Sequence, residues 1–336
     1  MCARRLRKVG FVGVGIMGSA IAGHILDAGY SLTVHTRTRE RAESLLARGA
    51  VWAPTPAKAA EDADVVFTMV GFPEDVEDVY LGDAGILQSA RKGAWLVDLT
   101  TSSPRLARDI HDAAEVMGKH AVDCPVTGGE EGAKAGTLTI MLGCTEREAA
   151  QLAPLLGCFS ERVIYFDQPG GGQVAKLCNQ VSLAACMAGY AEALALARES
   201  RIDVPSVRKL ILSGTGTSGA MERLAPLSLD GDYAPRFKSE HFRKDLSLAL
   251  AQAEEVGLNL PETDTALSLF DLLCRVGGSS LGTQALSLLY DDEEAGSAAG
   301  LDWSRLEEGE DGCDCDGSCG GDCTCGHGGS ASKPPQ

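Results

Sequence analysis

A glycine-rich turn close to the N-terminus settles how the first third of this chain must fold. The apolar, β-rich run from Val9 to Val12 leads directly into Gly13-Val14-Gly15-Ile16-Met17-Gly18, and helical spacing follows over Ser19 to Ala28. A bare GxGxxG is common; one that ends a strand and opens a helix is specific. Gly13 makes the tight turn, Gly15 lets the backbone approach a pyrophosphate, and Gly18 allows helix and strand to pack closely. Ile16 and Met17 complete the turn against the coenzyme, and the N-terminus of the helix that follows faces the phosphates. The motif predicts a dinucleotide-binding unit.

The rest of the N-terminal half repeats the alternation. Ser31 to His35, Val65 to Val70, Trp95 to Leu99, Ala121 to Val126, Leu138 to Leu142 and Val163 to Phe166 read as strands, mostly continuous apolar runs buried on both faces. Ser103 before Pro104 reads as a helix cap, and Gly29 as a helix stop. Such alternation implies an α/β chain built on a parallel, doubly wound sheet of the Rossmann type. From about Gly172 strands give way to successive helical patterns: 173 to 200, 206 to 213, 220 to 227, 242 to 257, 262 to 275 and 282 to 290. With 336 residues, the chain exceeds the ~250–300 over which one core grows. The expected division is 1–168, a dinucleotide domain; 169–292, an all-α substrate and oligomerisation domain; and 293–336, an acidic Cys/Gly-rich tail too polar to fold alone.

Net charge is −17, of which −10 lies in 291–336, and this argues against a nucleic-acid role, which needs a clustered positive surface for phosphate. The longest apolar stretch, Val181 to Ala197, is interrupted by Glu192 and falls short of the ~20 residues of a membrane span. Arg4, Arg5, Arg7 and Lys8 precede the first strand without an apolar export segment, so the chain reads as cytoplasmic. Seven of its 12 cysteines are scattered through the folded part, as thiols in a reducing compartment are. The other five, Cys313, Cys315, Cys319, Cys323 and Cys325, form CxC-x3-C-x3-CxC beside His327. That array suits zinc or copper(I), yet no scaffold flanks it, and a reduced tail without metal is the other reading.

Coenzyme choice rests on the end of the second strand, Val34-His35-Thr36-Arg37-Thr38. An acid there accepts from the ribose 2′-hydroxyl of NAD, whereas an Arg accommodates the 2′-phosphate of NADP. No acid is present, so NADP is expected over NAD, with Arg37 and Thr38 on the phosphate.

Together with the fingerprint, Asp123-Cys124-Pro125-Val126-Thr127-Gly128-Gly129, the run Gly136 to Met141, and Gly170-Gly171-Gly172-Gln173-Val174-Ala175-Lys176-Leu177-Cys178-Asn179-Gln180 resemble the β-hydroxyacid dehydrogenases. The resemblance runs from about Lys8 to Tyr290. It implies a nicotinamide-dependent oxidoreductase acting on a small carboxylate-bearing aldehyde or hydroxy acid, 3-hydroxyisobutyrate or a relative such as tartronate semialdehyde, with glyoxylate or succinic semialdehyde as alternatives. It also implies Lys176 as the catalytic lysine, Thr127, Gly128 and Gly129 as the loop for the substrate carboxylate, and Val70, Gly71 and Thr101 as cofactor contacts. Lys244 and Asp245 then correspond to a pair that closes over the nicotinamide. Thr127 stands where Ser is more common, and Asn179 and Gln180 share the place of a substrate-holding Asn, so either amide can serve.

The chemistry supports the lysine independently. Carbonyl reduction needs a proton for the developing alkoxide, and an ammonium in an apolar helix has its pKa lowered towards the working range. A decayed, non-catalytic cofactor-binding reader protein would not be expected to keep Lys176 beside Thr127, Asn179 and Gln180. The long apolar helix from Gln173 further predicts a homodimer or homotetramer.

Overall fold

The computed structural model describes residues 6–306. Six strands, β1 (Lys8–Val12), β2 (Ser31–His35), β3 (Val51–Trp52), β4 (Val65–Thr68), β5 (Trp95–Asp98) and β6 (His120–Asp123), form a sheet in the order β3-β2-β1-β4-β5-β6. Every pairing is parallel. This is the doubly wound order in which the chain reverses direction across the sheet at β1, leaving a crevice beyond the carboxyl ends of β1 and β4. Period-two side-chain placement gives each face its own core. Val9, Phe11, Val65, Phe67 and Val97 pack on the side of α1 (Ile16–Asp27), while Val12, Val66 and Leu96 pack on the other with Tyr80 and Ile110. Tyr80 lies on α2 (Pro73–Leu81) and Ile110 on α3 (Pro104–Val116).

The strand expected over Ala121 to Val126 is broken. Pro125 has no N–H to give a ladder, and β6 ends at Asp123; the chain re-enters as β7 (Val126–Thr127). With β8 (Leu138–Leu142) and β9 (Ser160–Tyr165) it makes a second sheet, antiparallel at β7/β8 and parallel at β8/β9. So the single sheet expected is two, linked by Met141 N–H to the Pro125 carbonyl and Gly143 N–H to the Asp123 carbonyl, both 2.9 Å.

The helical part is organised around α4 (Gly171–Glu199), with α5 (Val204–Leu212), α6 (Ser239–Glu255) and α7 (Pro261–Arg275) following. Ala184, Met187, Tyr190 and Leu194 of α4 pack against Phe242 and Leu246 of α6 and Phe270 of α7, with Phe242 meeting Phe270 edge-on at 4.9 Å. The segment expected as one helix over 220 to 227 is two, Gly219–Arg223 and Ala225–Leu229, because Pro226 suits a first turn and not an interior. Thr283–Tyr290 winds as a 3-10 helix.

Two expectations need correction. At 29 residues α4 is long and apolar enough to span a bilayer by length and composition, contrary to the shorter stretch read from sequence, although it forms the centre of the helical core. Nor does the tail begin at 293: α8 (Glu293–Ala298) and a 3-10 turn at Trp303–Leu306 follow, with Leu301 buried in the helical core and Asp302 N–H bonded to the Val276 carbonyl. The five tail cysteines lie outside the described residues.

Candidate active site

The dinucleotide side is built by the turn after β1. Gly13 has φ +97°, and a Cβ there would overlap the Met69 carbonyl, so only glycine fits. A Cβ on Gly18 would run into the Gly13 carbonyl and lie 3.2 Å from the Phe11 ring; its absence seats α1 on β1. Gly15, by contrast, has open space where its Cβ would be, and as N-cap of α1 it brings no side chain to the free N–H groups. Ile16, beside it, is 54% exposed, and Met17 is half-buried. An uncapped helix start behind an unobstructed backbone fits a pyrophosphate. The residues present would therefore hold a dinucleotide at Gly13, Gly15, Ile16, Met17 and Gly18.

Arg37 and Thr38 are exposed beyond β2, on the opposite side of β1 from β5. Arg37 reaches Asp75 in the first turn of α2 at 3.3 Å, and Asp75 also accepts the Phe72 N–H at 3.1 Å. Sequence reasoning missed Asp75; an acid three residues after Phe72, with Pro73 between them, was its only signal. Val70 donates its N–H to Thr100 Oγ1 (3.0 Å), and a Cβ on Gly71 would lie 3.4 Å from the ring of His241, which meets Phe72 at 5.2 Å.

Lys176 is placed by the start of α4. The N-cap Gly170 adopts φ +79° and contributes no side chain, so Asp123 at the end of β6 supplies the cap: its two oxygens accept the N–H groups of Gly170 and Gln173, each at 2.8 Å. Burial pushes that carboxyl above its ordinary value despite these bonds, which pull it down. Gln173, wholly buried, spans to the loop after β5, accepting from Ser102 N–H (2.9 Å) and donating to the Thr100 carbonyl (2.7 Å). Asp98, ending β5, accepts from Thr68 Oγ1 and Thr100 N–H, and burial pushes it up to about 6. Asp98, Asp123 and Gln173 were not singled out as positioning groups from sequence. The two acids stand at carboxyl ends of parallel strands, where ligands bind in such folds, and that was the available signal.

One turn into α4, Lys176 is 8% exposed, and its ammonium has no hydrogen bond or ion pair among the described residues. Burial lowers its pKa; Asp245 opposes the shift and Lys244 adds to it. Gln180 donates to Asp245 at 2.6 Å and accepts from Asn179 at 2.8 Å. Gln180 is thus enclosed and engaged with Asp245, whereas Asn179 stays half-buried. Lys244 crosses from α6 to the Thr101 carbonyl (2.6 Å) and pairs with Asp245 (2.9 Å). These contacts gather Gln180, Asp245, Lys244 and Thr101 along one seam between the two halves, and Lys176, one turn before Gln180, feels the charges of Asp245 and Lys244 there.

Thr127 ends β7, and Gly128 and Gly129 follow with φ +128° and +64°, both exposed at the start of the helix Gly129–Ala135. Left-handed backbone of this kind requires glycine. No hydrogen bond joins this loop to Lys176 among the described residues. The connection is through the sheet: a Cβ on Gly172 of α4 would overlap the Met141 carbonyl of β8, the strand that pairs with β7.

Two family models match the chain. The first, described as the NAD binding domain of 6-phosphogluconate dehydrogenase, matches residues 8–166. The second, described as the NAD-binding domain of NADP-dependent 3-hydroxyisobutyrate dehydrogenase, matches 170–290. An uncharacterised oxidoreductase of Bacillus subtilis is 42% identical over 84% of this chain and 99% of its own length. A probable mitochondrial 3-hydroxyisobutyrate dehydrogenase-like protein of Arabidopsis thaliana is 40% identical over 84% of each chain. Among solved structures, Mycobacterium tuberculosis 3-hydroxyisobutyrate dehydrogenase with L-serine superposes at a TM-score of 0.79, 28% identical, over 85% of this chain and all of the other. With both halves matched and the shared motifs on the dinucleotide turn and the seam, this chain belongs to the β-hydroxyacid dehydrogenase family of NAD(P)-dependent oxidoreductases.

Proposed function

We propose that the chain interconverts a small β-hydroxy acid and its semialdehyde, 3-hydroxyisobutyrate or a near analogue, with Lys176 moving the proton and NADP preferred to NAD. The observation that carries this reading is the enclosed, unpaired ammonium of Lys176 at the seam between the two halves. Lys176 gives its proton to the substrate oxygen in reduction and takes it back in oxidation. When bound, the nicotinamide supplies or accepts the hydride. The Thr127 hydroxyl and the N–H groups of Gly128 and Gly129 hold the carboxylate, unobstructed by side chains. Asn179, the more accessible amide, orients the substrate hydroxyl. Lys244, anchored on the Thr101 carbonyl, closes the seam over the coenzyme.

Support for the substrate class comes from the M. tuberculosis relative, since 3-hydroxyisobutyrate and L-serine are both β-hydroxy acids. Support for NADP comes from the missing acid at the end of β2 and the exposed Arg37 in its place. Initial rates with NADPH and NADH against methylmalonate semialdehyde, tartronate semialdehyde, succinic semialdehyde and glyoxylate test both points. Turnover of methylmalonate or tartronate semialdehyde, whose products are β-hydroxy acids, with a lower KM for NADPH, is expected. A KM for NADH at or below that for NADPH would overturn the coenzyme reading, and turnover of only succinic semialdehyde or glyoxylate, or of no acid, the substrate reading.

A further inference from the structure

Gln173 lies three residues before Lys176 in the first turn of α4, and it is committed at three points. Its backbone N–H belongs to Asp123 (2.8 Å), its side-chain oxygen to the Ser102 N–H (2.9 Å), and its side-chain nitrogen to the Thr100 carbonyl (2.7 Å). One planar group thus presents an acceptor and a donor to two backbone groups of the β5 loop. The same three-residue stretch receives Lys244 on the Thr101 carbonyl, and its Thr100 hydroxyl accepts the Val70 N–H. Both lysines of the seam and the loop after β4 are therefore registered to residues 100–102.

The helix start has little room to move. A Cβ on Gly170 would sit 2.7 Å from the Pro104 carbonyl, and one on Gly172 would overlap the Met141 carbonyl. Backbone presses on α4 from two sides, and Gln173 fills the remaining side without any exposure.

We propose that Gln173 is a positioning residue that holds Lys176 at its working distance by fastening the first turn of α4 to residues 100–102. This rests on the reading of Lys176 as the proton donor. Misplacement of a catalytic group by about 1 Å can lower rates ~100-fold. An amide is needed because a carboxylate would face the Thr100 carbonyl with a second acceptor, and a thioether offers neither partner a strong bond. A protonated carboxylic acid, however, restores one donor and one acceptor on nearly the same frame, and buried Glu side chains can titrate ~3 or more units high.

The test compares Gln173→Met and Gln173→Glu with wild type and Lys176→Ala, measuring kcat, KM, NADPH affinity by fluorescence and melting temperature from about pH 6 to about pH 8.5. Gln173→Met is expected to lower kcat about 10- to 100-fold at every pH with NADPH affinity within about twofold. Gln173→Glu is expected to match that loss at the alkaline end and to recover towards wild type as pH falls. Two variants that bind NADPH and keep kcat within about twofold throughout would overturn the proposal. So would loss of NADPH binding in both, since Gln173 would then belong to the coenzyme cradle. Retained turnover in Lys176→Ala would instead remove the underlying reading of the lysine, whatever the Gln173 variants do.

Discussion

The charge state of Lys176 is set by three identifiable causes, and each has a kinetic consequence. Burial lowers its pKa from 10.5, Lys244 lowers it further, and Asp245 raises it. In the role proposed for Lys176 reduction uses the protonated amine, so its rate should be flat below the folded-state pKa and fall above it, on a limb lying below 10.5; oxidation should show the opposite limb. Lys244→Ala removes a nearby cation and releases Asp245 from its pair, and both changes move that limb to higher pH. A pH profile of kcat/KM for reduction checks this, and a limb unmoved or moved downward would contradict it. Lys176 was legible in the sequence because a lone cation among apolar helix residues is costly to bury and therefore conspicuous. Asp123 and Gln173 were not, because their partners are backbone N–H and carbonyl groups of loops about 50 and 70 residues away. Gln180 was seen as one of two equivalent amides; its contact with Asp245, 65 residues on, decides that it is the enclosed one.

At the level of elements, periodicity found what periodicity can encode. β2 and β8 have the bounds read from their apolar runs, and Ser103 does cap α3 by accepting the Leu106 N–H. The two-residue strands β3 and β7 and the short helices of the N-terminal half were not legible, since each is too short to display a period and exists through pairing or packing partners. Pro125, which divides β6 from β7, was in view but its effect was not drawn. The carboxyl end of β5 has a further consequence. Asp98 ionises at 3.8 in an unfolded chain and at about 6 here, so between these values the native state holds a proton that the unfolded state has lost. Stability from this group is fully present below 3.8 and falls as pH rises through about 6, a loss of about 3 kcal/mol when complete. Asp98→Asn keeps an acceptor for Thr68 and Thr100 without the titration. Between about pH 5 and about pH 8, urea unfolding should show wild type losing about 1 kcal/mol more than the variant. Parallel pH dependence in the two proteins would contradict this.

On the scale of the whole molecule, Leu210 on α5 and Leu196 at the end of α4 are 69% and 70% exposed, whereas Val204, Ile211 and Leu212 of α5 are half-buried against the helical core. Two exposed leucines on consecutive helices fit the expected homodimer or homotetramer better than an isolated chain. Sedimentation equilibrium should report a multiple of the 35.1 kDa chain, and Leu210→Lys should shift the distribution towards monomer. A monomer at micromolar concentration would refute that expectation. Alternating strands and helices giving way to helices alone made the two-part architecture readable, whereas the seam depends on which side chains cross between the parts. Proton transfer by Lys176 at that seam is tested most directly by the initial rate of Lys176→Ala beside wild type, with NADPH binding followed by fluorescence. Unchanged NADPH affinity with turnover reduced at least about 1000-fold is the predicted result. Turnover within about tenfold of wild type would contradict it.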